Sequence, residues 1–278
     1  MFNSYKGIIT ADMTKRHPLC SKMLKATHCL IAGATGSGKS VMMNSMIYTA
    51  IREQPNKFVF IDLKRTELKE YSKLWNCMAF CTEPENVIKT LDYVLDEMEY
   101  RYRKAKGRMY EGDALYVFID ELADLLDGTD KKLNEAALAR IVKVGRLGRA
   151  AKIHLVCATQ DPSRKCLSSA LMKNFTCCLA LRCKSDIDSR QIIGIAGAED
   201  LPEYGQGILW DSHGFEKVKV PMTPEEDIEK MVKGSSKTAN LINFVYNVFM
   251  KLLGKSDCPF VMDRGYDRLL SLYGDEVW

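Results

Sequence analysis

The sequence predicts an α/β fold in which helices cover both faces of a mostly parallel sheet. Apolar runs of strand length alternate with segments in which apolar residues recur at helical spacing. The runs are continuously apolar, which is typical of strands that are buried on both faces. The first run leads into the glycine-rich stretch GATGSGKS (Gly33–Ser40), which we place as a loop between a strand and a helix.

The elements can be placed in order along the chain. The predicted strands are HCLIAG, KFVFID (Lys57–Asp62), LYVFID (Leu115–Asp120), IHLVCATQ (Ile153–Gln160) and FTCCLALRC (Phe175–Cys183). The predicted helices are VMMNSMIYTAIREQ, a segment from Glu85 to about Arg108 and a segment from Leu133 to about Leu147. A terminal hairpin is predicted for Ile208–Val220.

The chain divides into three predicted parts. The 278 residues, 46% of them hydrophobic, suffice for one large domain with an appendage. We predict a leader (residues 1–26), an α/β domain (27–222) and a short helical C-terminal tail (223–278). The tail boundary rests on a change of pattern after residue 222, followed by the linker-like stretch KGSSKT.

The composition and the lengths of the apolar runs indicate the cellular compartment in which we expect the protein. The net charge of +4 is too small to indicate nucleic-acid binding by itself. The ten cysteines include no CxxC pair, so we interpret them as reduced, mostly buried side chains. The N-terminus lacks the apolar region of a signal peptide, and no apolar run reaches the length of about 18 residues that spans a bilayer. The segment Leu241–Leu253 is interpreted as an amphipathic helix. We expect a cytoplasmic protein, with membrane recruitment only through a partner.

The glycine-rich stretch fits the pattern GxxxxGK[ST] of a phosphate-binding loop. Its glycines allow backbone N–H groups to turn towards phosphates, and the helix that follows adds its partial positive charge. We expect Lys39 to reach the β- and γ-phosphates of ATP and Ser40 to coordinate Mg²⁺. The predicted nucleotide-binding residues are Gly33, Ala34, Thr35, Gly36, Ser37, Gly38, Lys39, Ser40 and Val41. The alternative is a glycine-rich turn without a ligand.

Two carboxylates and an amide are predicted at the carboxyl ends of strands, where ligands bind in open α/β sheets. Asp120 would hold the hydration shell of Mg²⁺, and Glu121 would orient or deprotonate the attacking water. Gln160 would sense the γ-phosphate or position the water. The adjacent carboxylates favour hydrolysis over transfer to a substrate hydroxyl, which a small-molecule kinase would perform. An ordinary acidic pair at a helix start and a polar strand end remain the alternatives.

Six segments occur in an order that resembles the motor domain of the FtsK/SpoIIIE DNA translocases, in the wider FtsK–HerA group. The segments are LIAGATGSGKSVMMNSMI, FIDLKRTEL, EMEYRYRK, VFIDELADLL, VGRLGRAAKIHLVCATQDPSR and KSDIDSRQIIGIAGAEDL. The resemblance covers about residues 8–222. It implies a RecA-like P-loop NTPase fold, ATP and Mg²⁺ as cofactors, a hexameric ring and double-stranded DNA in its central pore. The family's usual Asp-Pro-Lys is replaced here by Asp62-Leu63-Lys64.

The resemblance also implies that a cation from a neighbouring subunit completes each ATP site. Arg149, in GRAA, is expected to be this arginine finger, with Arg146 as the second choice. Arg140, Lys143, Arg146 and Arg149 recur every three residues, so a solvated basic helix face is the alternative. Arg190 is a weaker candidate for a contact between subunits.

Basic residues are the expected contacts to DNA phosphates, which carry no sequence information. Lys131 and Lys132, in GTDKK, follow the third predicted strand, where the resemblance implies a pore loop. Arg164 and Lys165, in DPSRK after the fourth strand, are further candidates. The segment Tyr100–Tyr110 has five cations in its first nine residues and suits a basic channel or, alternatively, a solvated helix end.

The leading hypothesis is an ATP-driven translocase of double-stranded DNA. It would be a short form without a membrane anchor or a winged-helix module, of the kind carried by plasmids, integrative elements or phages. The first alternative is a conjugative coupling or DNA-packaging ATPase that works with a membrane or relaxase-type partner. The second is a nucleotide-dependent adaptor that binds DNA without moving it. The combination of Glu121, Gln160 and Arg149 argues against the adaptor, since a switch can dispense with fast hydrolysis.

Overall fold

The computed structural model describes residues 17–53, 56–201 and 204–235 of the chain. The strands are β1 (His28–Ala32), β2 (Lys57–Ile61), β3 (Cys77–Cys81), β4 (Leu115–Ile119), β5 (Ile153–Thr159), β6 (Cys177–Leu181), β7 (Gln206–Asp211) and β8 (Gly214–Lys219). The α-helices are α1 (Pro18–Lys25), α2 (Lys39–Glu53), α3 (Pro84–Ala105), α4 (Leu122–Leu126), α5 (Lys131–Leu147), α6 (Ser169–Met172) and α7 (Asp186–Ile193). Short 3₁₀ turns are formed by Lys69–Lys73 and Gly148–Ala151.

The strands form one sheet in the order β3-β2-β4-β5-β1-β6-β7-β8. Strands β1 to β6 are paired in parallel, and the hairpin of β7 and β8 adds two antiparallel strands at the β6 edge. The predicted mostly parallel sheet is therefore confirmed, as is the terminal hairpin. Strand β1, which leads into the glycine-rich loop, lies between β5 and β6.

Helices cover both faces of the sheet because alternate residues of each strand enter two separate cores. Leu30 of β1 packs in the cluster beneath α3 and α5, whereas its neighbours Cys29 and Ile31 pack in the cluster beneath α1 and α2. In the second cluster Phe60 and Phe118 stack with ring centroids 5.7 Å apart. Burial on both faces explains why the strand sequences are continuously apolar.

Strand β3 and helix α1 are among the elements that were not predicted from the sequence, as are the short helices α4, α6 and α7. Strand β3 lies at the sheet edge and is only partly buried; its sequence CMAFC is apolar, but a run of five apolar residues does not by itself distinguish a strand from other buried structure. Helix α1 begins at Pro18, which suits a first helical turn, and buries four residues against α2 and the sheet. The end of the predicted leader, residues 18–25, is thus a helix in contact with the core.

The chain after residue 220 also packs on the α/β domain. Ser45 Oγ in α2 donates to the carbonyl oxygen of Pro221 at 2.8 Å, and Thr223 Oγ1 lies 3.0 Å from Ser45 Oγ. Residues 225–235 are helical, and Val232 is buried in the cluster beneath α2. The division of the chain at residues 26 and 222 stays a prediction, and leader residues 1–16 and tail residues 236–278, with the predicted helix Leu241–Leu253, lie outside the described residues.

Nine cysteines fall within the described part of the chain. They are free thiols, and eight of them are buried. Burial is also the main reason that the pKa of several of these thiols is raised, to about 12 for Cys20 and Cys166. The interpretation of the cysteines as reduced, apolar side chains is confirmed for these nine. Among the helices of the described ranges, none combines the length and the apolar character that crossing a membrane requires.

Candidate nucleotide-binding site

The loop GATGSGKS, which we call the P-loop (Gly33–Ser40), connects β1 to α2 at the carboxyl edge of the sheet. Its backbone is held by the two strands that flank β1. Gly33 N donates to the carbonyl oxygen of Thr159 at the end of β5, and Ala34 N donates to that of Arg182 after β6, at 3.3 and 2.8 Å. The predicted loop between a strand and a helix is therefore anchored in the crevice where parallel sheets bind ligands.

Glycine is required at two kinds of position in the P-loop. A Cβ atom on Gly33 would lie 2.8 Å from Leu181 Cβ and from Ser37 Oγ, so a side chain has no room there. Gly36 and Gly38 have φ angles of 77° and 106°, in the left-handed region that other residues rarely adopt. The glycines thus fold the loop around the start of α2, where the N–H groups of the first helical turn are available to an anion.

Lys39 is the first residue of α2, and its side chain folds back along the P-loop. Its Nζ donates to the carbonyl oxygens of Gly33 and Ala34, both at 2.9 Å. Burial lowers the pKa of this ammonium group, while the carboxylates of Glu121 and Asp120 oppose the shift. Ser40 and Val41 follow in the first turn of the helix.

The residues of the P-loop fit a nucleoside triphosphate. Ser37 Oγ is buried and has no hydrogen-bond partner within the described ranges, so it is free to bond a ligand oxygen. The N-terminus of the fifteen-residue helix α2 and the Lys39 ammonium provide positive charge beside it. Magnesium would be held by the Ser40 hydroxyl and, through water, by Asp120, which are oxygen donors of the kind that Mg²⁺ prefers.

Asp120 follows β4 in a strongly acidic environment. Burial raises the pKa of its carboxyl to about 7, and the neighbouring carboxylates of Asp62, Glu67 and Glu121 add to the shift. Asp62, at the end of β2, is fully buried, and its Oδ2 accepts the backbone N–H groups of Glu67 and Leu68 at 3.1 and 3.0 Å. This concentration of negative charge is suited to a divalent cation.

Glu121 is the N-cap residue of α4, and its carboxylate is fixed by the end of β5. Oε1 accepts hydrogen bonds from Thr159 Oγ1 at 2.7 Å and from Ala123 N at 3.3 Å. Oε2 accepts the backbone N–H of Gln160 at 3.0 Å and lies 3.8 Å from Lys64 Nζ. The carboxylate is 5% exposed, and its charge is held in one orientation by neighbours on three elements.

Gln160 joins this carboxylate to the P-loop. Its side-chain Oε1 accepts a hydrogen bond from Thr35 Oγ1 at 2.7 Å, while its backbone N–H contacts Glu121. A cleft of about 230 Å³ lies beside it and is lined by Gly33, Ala34, Gln160, Asp161, Pro162, Cys183, Lys184 and Asp188. A hydrogen-bonded path therefore runs from the loop to Glu121 along the carboxyl edge of the sheet.

Several residues of this site were not identified from the sequence. Thr159 and Lys64 contact Glu121 directly, and Lys64 Nζ also lies 3.4 Å from Asp124 Oδ2. Thr159 resembles any residue of a buried strand, so its sequence position gives no signal. Lys64 does carry a signal, since it stands two residues beyond the acidic end of β2, in the segment Asp62-Leu63-Lys64.

The predicted arginine finger is not brought to this site within one chain. Arg149 lies in the 3₁₀ turn before β5, at the amino edge of the sheet, and is exposed, as is Arg146 at the end of α5. The proposed basic helix face is not uniformly solvated, because Arg140 forms a bidentate ion pair with Asp92 at 2.7 and 3.0 Å. Arg190 is exposed and lies 3.5 Å from Asp186.

The candidate DNA contacts are exposed, but two details differ from expectation. Lys131 and Lys132 form the first turn of α5 rather than a loop, because Asp130 caps the helix by accepting the N–H of Lys132 at 2.9 Å. Arg164 is exposed in the segment after β5, and its neighbour Lys165 forms an ion pair with Asp127.

The segment Tyr100–Tyr110 differs more strongly from the basic channel suggested by its composition. Arg101 is completely buried and cannot contact DNA. Arg103, Lys106 and Arg108 are exposed at the end of α3 and in the turn that follows. The channel interpretation is therefore wrong for Arg101.

As pH rises, the free energy of unfolding of Asp120→Asn is expected to fall less than that of the parent. The carboxyl has a pKa of about 7 in the folded chain, against an ordinary value of 3.8, so between these pH values it is ionised in the unfolded chain and takes up a proton on folding. Its contribution to the free energy of unfolding therefore falls as pH rises from about 4 to 7. Between about pH 4.5 and pH 8, the free energy of unfolding of Asp120→Asn should rise by roughly 2 kcal/mol relative to that of the parent. This is about half of the full value expected from the pKa shift, because the group is partly exposed.

Urea unfolding at a series of pH values, without nucleotide or Mg²⁺, measures this difference. Asp200→Asn, at an exposed carboxylate, is the control and should follow the parent at every pH. Parallel curves for Asp120→Asn and the parent would contradict the raised pKa.

Comparison with known proteins identifies the family to which the P-loop region is similar. The model of the FtsK/SpoIIIE family matches residues 3–112. This range includes the P-loop, β2, β3 and α3, and it ends before β4, which leads into Asp120 and Glu121.

Curated relatives named DNA translocase FtsK align over more of the chain. The protein of Caldanaerobacter subterraneus is 32% identical over 254 residues, which are 83% of this chain and 35% of that protein. The protein of Lactiplantibacillus plantarum is 34% identical over 237 residues, which are 75% of this chain and 29% of that protein. The chain spans about a quarter to a third of the length of the relatives it matches, from 24% in Chlorobaculum tepidum to 35% in Caldanaerobacter.

Two solved structures of other proteins share the fold. The conjugation coupling protein TcpA of pCW3, in its monomer form with ATPγS, has a TM-score of 0.67 at 24% identity, and the match covers 76% of this chain and 65% of TcpA. The cytoplasmic domain of the type VII secretion ATPase EccC of Thermomonospora curvata has a TM-score of 0.64 at 23% identity, with 75% and 28% coverage. The predicted mostly parallel, RecA-like α/β fold is therefore confirmed.

Proposed function

From the premise that the chain carries a domain of the FtsK/SpoIIIE family, we propose that it is an ATP-dependent translocase of double-stranded DNA. Its working form is a hexameric ring with DNA in the central pore. The P-loop and the carboxylates of one copy form most of each ATP site, and Arg149 of the next copy completes it. Two observations support this proposal: the arrangement of residues at the carboxyl edge of the sheet, and the similarity to relatives named DNA translocase.

The carboxyl edge of the sheet contains the groups that hydrolysis needs. Bound Mg²⁺–ATP supplies the phosphoanhydride bond and the positive charge of the metal. Lys39 Nζ exchanges its bonds to the P-loop carbonyls for the phosphate oxygens, and Glu121 takes a proton from the attacking water. Gln160, hydrogen-bonded to Thr35 and to Glu121, connects the phosphate side of the site with the general base.

The observation that carries the ring proposal is the placement of the P-loop and Arg149 at opposite edges of the sheet. Thr159, at the carboxyl end of β5, contacts the P-loop, whereas Arg149 lies before Ile153, at the amino end of that strand. The seven residues of β5 separate the two edges by roughly 20 Å, which an arginine side chain cannot span. Arg149 can therefore reach only the nucleotide of another copy. Head-to-tail contacts of this kind generate rings when they close.

Exposed cations at the same edge as the ATP site support DNA as the substrate. Lys131 and Lys132 begin α5, soon after β4, and Arg164 follows β5, so these cations lie close to the segments that hold Glu121 and Gln160. Contacts from such side chains to phosphates are independent of sequence, as a translocase requires. Lys165 would have to exchange its ion pair with Asp127 for a phosphate, and we propose that this exchange links ATP state to DNA contact.

The proposed setting is a plasmid, an integrative element or a phage, with the protein in the cytoplasm. A conjugative coupling ATPase would use the same motor beside a membrane or relaxase-type partner. An adaptor that binds nucleotide and DNA without turnover is the competing class, and it can be distinguished from a motor by kinetics.

The ATPase rate is expected to rise many-fold when linear double-stranded DNA is added. The rate would be measured with duplex DNA, with single-stranded DNA and without DNA, and displacement of a third strand from the duplex would report movement. Because phosphates are the contact, the duplex concentration that gives half of the maximal rate should rise steeply with salt. Lys39→Ala is the control for contaminating ATPases. An unchanged rate on duplex DNA, with stimulation by single strands or by a protein, would overturn the translocase proposal.

A further inference from the structure

We propose that Arg101, buried at the end of α3, is the residue that positions Arg149 for the neighbouring copy. This inference rests on the proposed function of Arg149 as an arginine finger in trans. Arg101 is buried, so it cannot make the DNA contact that its basic sequence context suggests, and the inference gives it a different role. Arg101 is a positioning residue, because it acts on the turn that carries Arg149 and touches no substrate.

The guanidinium of Arg101 is directed at the backbone that follows Arg149. Its Nη1 donates to the carbonyl oxygens of Ala151 at 3.0 Å and Lys152 at 3.3 Å, which are two and three residues beyond Arg149. The same nitrogen lies 2.9 Å from the carbonyl oxygen of Asp113. These bonds fix the end of the 3₁₀ turn to α3 and to the start of β4.

The opposite side of the guanidinium is held in place by its own helix. Arg101 Nε donates to Glu97 Oε1 at 2.7 Å, one helical turn earlier, and the side chain of Arg101 is 1% exposed. The ring of Tyr110 lies against the guanidinium, with its centroid 4.7 Å from Cζ. The guanidinium therefore has contacts at Nε, at Nη1 and on its face, and Nη1 is directed at the turn.

Two tyrosines hold the rest of the same turn. Tyr102 Oη donates to the carbonyl oxygen of Leu147, before Arg149, and Tyr110 N donates to that of Ala150 at 2.8 Å, directly after Arg149. The segment from α3 to Tyr110 therefore bonds carbonyls on both sides of Arg149, while the side chain of Arg149 itself remains exposed.

The 3₁₀ turn also packs closely against the sheet. A Cβ atom on Gly148 would lie 2.7 Å from the carbonyl oxygen of Ile153 and 3.2 Å from His28 Cε1, so the backbone approaches the sheet as closely as glycine allows. Lys152 closes the turn with a φ of 50°. The backbone of the turn that carries Arg149 is therefore held between α3 and the sheet.

The chemistry of the guanidinium explains why arginine suits this role. Its five N–H donors lie in a fixed plane, so they set the directions of the carbonyls they bond, whereas an ammonium group on a flexible stem does not. Burying a charge is costly and is often no more stabilising than apolar packing. A buried arginine bonded to the backbone around Arg149 is therefore better explained by the geometry it imposes than by stability.

Mixing of complementary variants tests the inference. Lys39→Ala lacks a working P-loop but keeps Arg149, and Arg149→Ala keeps the P-loop, so mixed rings of the two should recover DNA-stimulated ATPase activity. The double variant Lys39→Ala/Arg101→Met should fail to complement Arg149→Ala, with activity lower by up to about 10², the cost of a small misplacement of a catalytic group. Arg101→Met alone should be rescued by Lys39→Ala, because its own P-loop is intact.

The outcomes separate the inference from the function on which it rests. If Lys39→Ala and Arg149→Ala do not complement each other, the finger in trans is wrong. If they do, and the Arg101→Met double variant complements equally well, Arg101 has no positioning role. Binding of a fluorescent ATP analogue by Arg101→Met shows that the P-loop is folded. Should this variant fail to fold, Arg101→Lys in the Lys39→Ala background decides, since it keeps the positive charge but loses the planar set of donors: unchanged complementation would overturn the inference, and reduced complementation would support it.

Discussion

Replacing Glu121 with Gln is expected to lower ATP turnover by about 10²- to 10⁴-fold, the range found when a general base is removed. Binding of ATP should persist, because Glu121 makes no bond to the P-loop itself, and its link to that loop passes through Gln160 and Thr35. The variant should therefore accumulate as ATP-bound rings on DNA.

The geometry around Glu121 indicates that the amide fits in place of the carboxylate. All the hydrogen bonds to Oε1, from Thr159, Ala123 and Gln160, can be accepted by an amide oxygen at that position. The amide NH₂ then occupies the position of Oε2, where it loses the attraction of Lys64 at 3.8 Å and faces the N–H of Gln160. The expected structural cost is small beside the kinetic effect.

Release of phosphate and binding of a fluorescent ATP analogue would be measured on the same preparation. Asp124→Asn is the matched control, because Asp124 also contacts Lys64, at 3.4 Å, but lies in the first turn of α4, away from the P-loop contacts. Its rate should remain close to that of the parent. A Glu121→Gln protein that turns over ATP normally would show that another group activates the water.

The parts of this site that the sequence predicts are those set by local pattern. Asp120 and Glu121 follow a continuously apolar run, which is typical of a buried parallel strand, and the end of such a strand lies at the edge of the sheet. Gln160 is placed at the same edge for the same reason. The P-loop is recognised because glycine positions and the following helix are close together in sequence.

The parts that the sequence does not predict depend on contacts between distant segments. Nothing in YRYRK indicates that Arg101 alone is buried among exposed cations, because that follows from the packing of α3 against the turn before β5. The bond from Thr35 to Gln160 spans 125 positions. Strand β3 was not predicted because its apolar run is only five residues long, and a run of that length does not by itself distinguish a strand from other buried structure.

Replacing Arg149 with Ala is expected to reduce DNA-stimulated ATP turnover by about 10³- to 10⁵-fold, the effect typical of an arginine finger. Affinity for ATP should change little in an isolated copy, because Arg149 lies at the edge of the sheet opposite to the P-loop. Arg149→Lys should not restore the rate, since an ammonium group cannot form the planar, forked contacts of a guanidinium with phosphate oxygens.

Arg146→Ala is the matched control for this variant, because Arg146 is also exposed and basic and lies one helical turn earlier. Its rate should stay near that of the parent. A second measurement tests the origin of the arginine: in the parent, the rate per copy should rise with protein concentration, because each site needs a neighbour. If the rate per copy is constant on dilution and Arg149→Ala remains active, the charge that develops on the transferring phosphate must be stabilised within one chain. Lys184, which lines the cleft beside Gln160, would then be the first cation to replace.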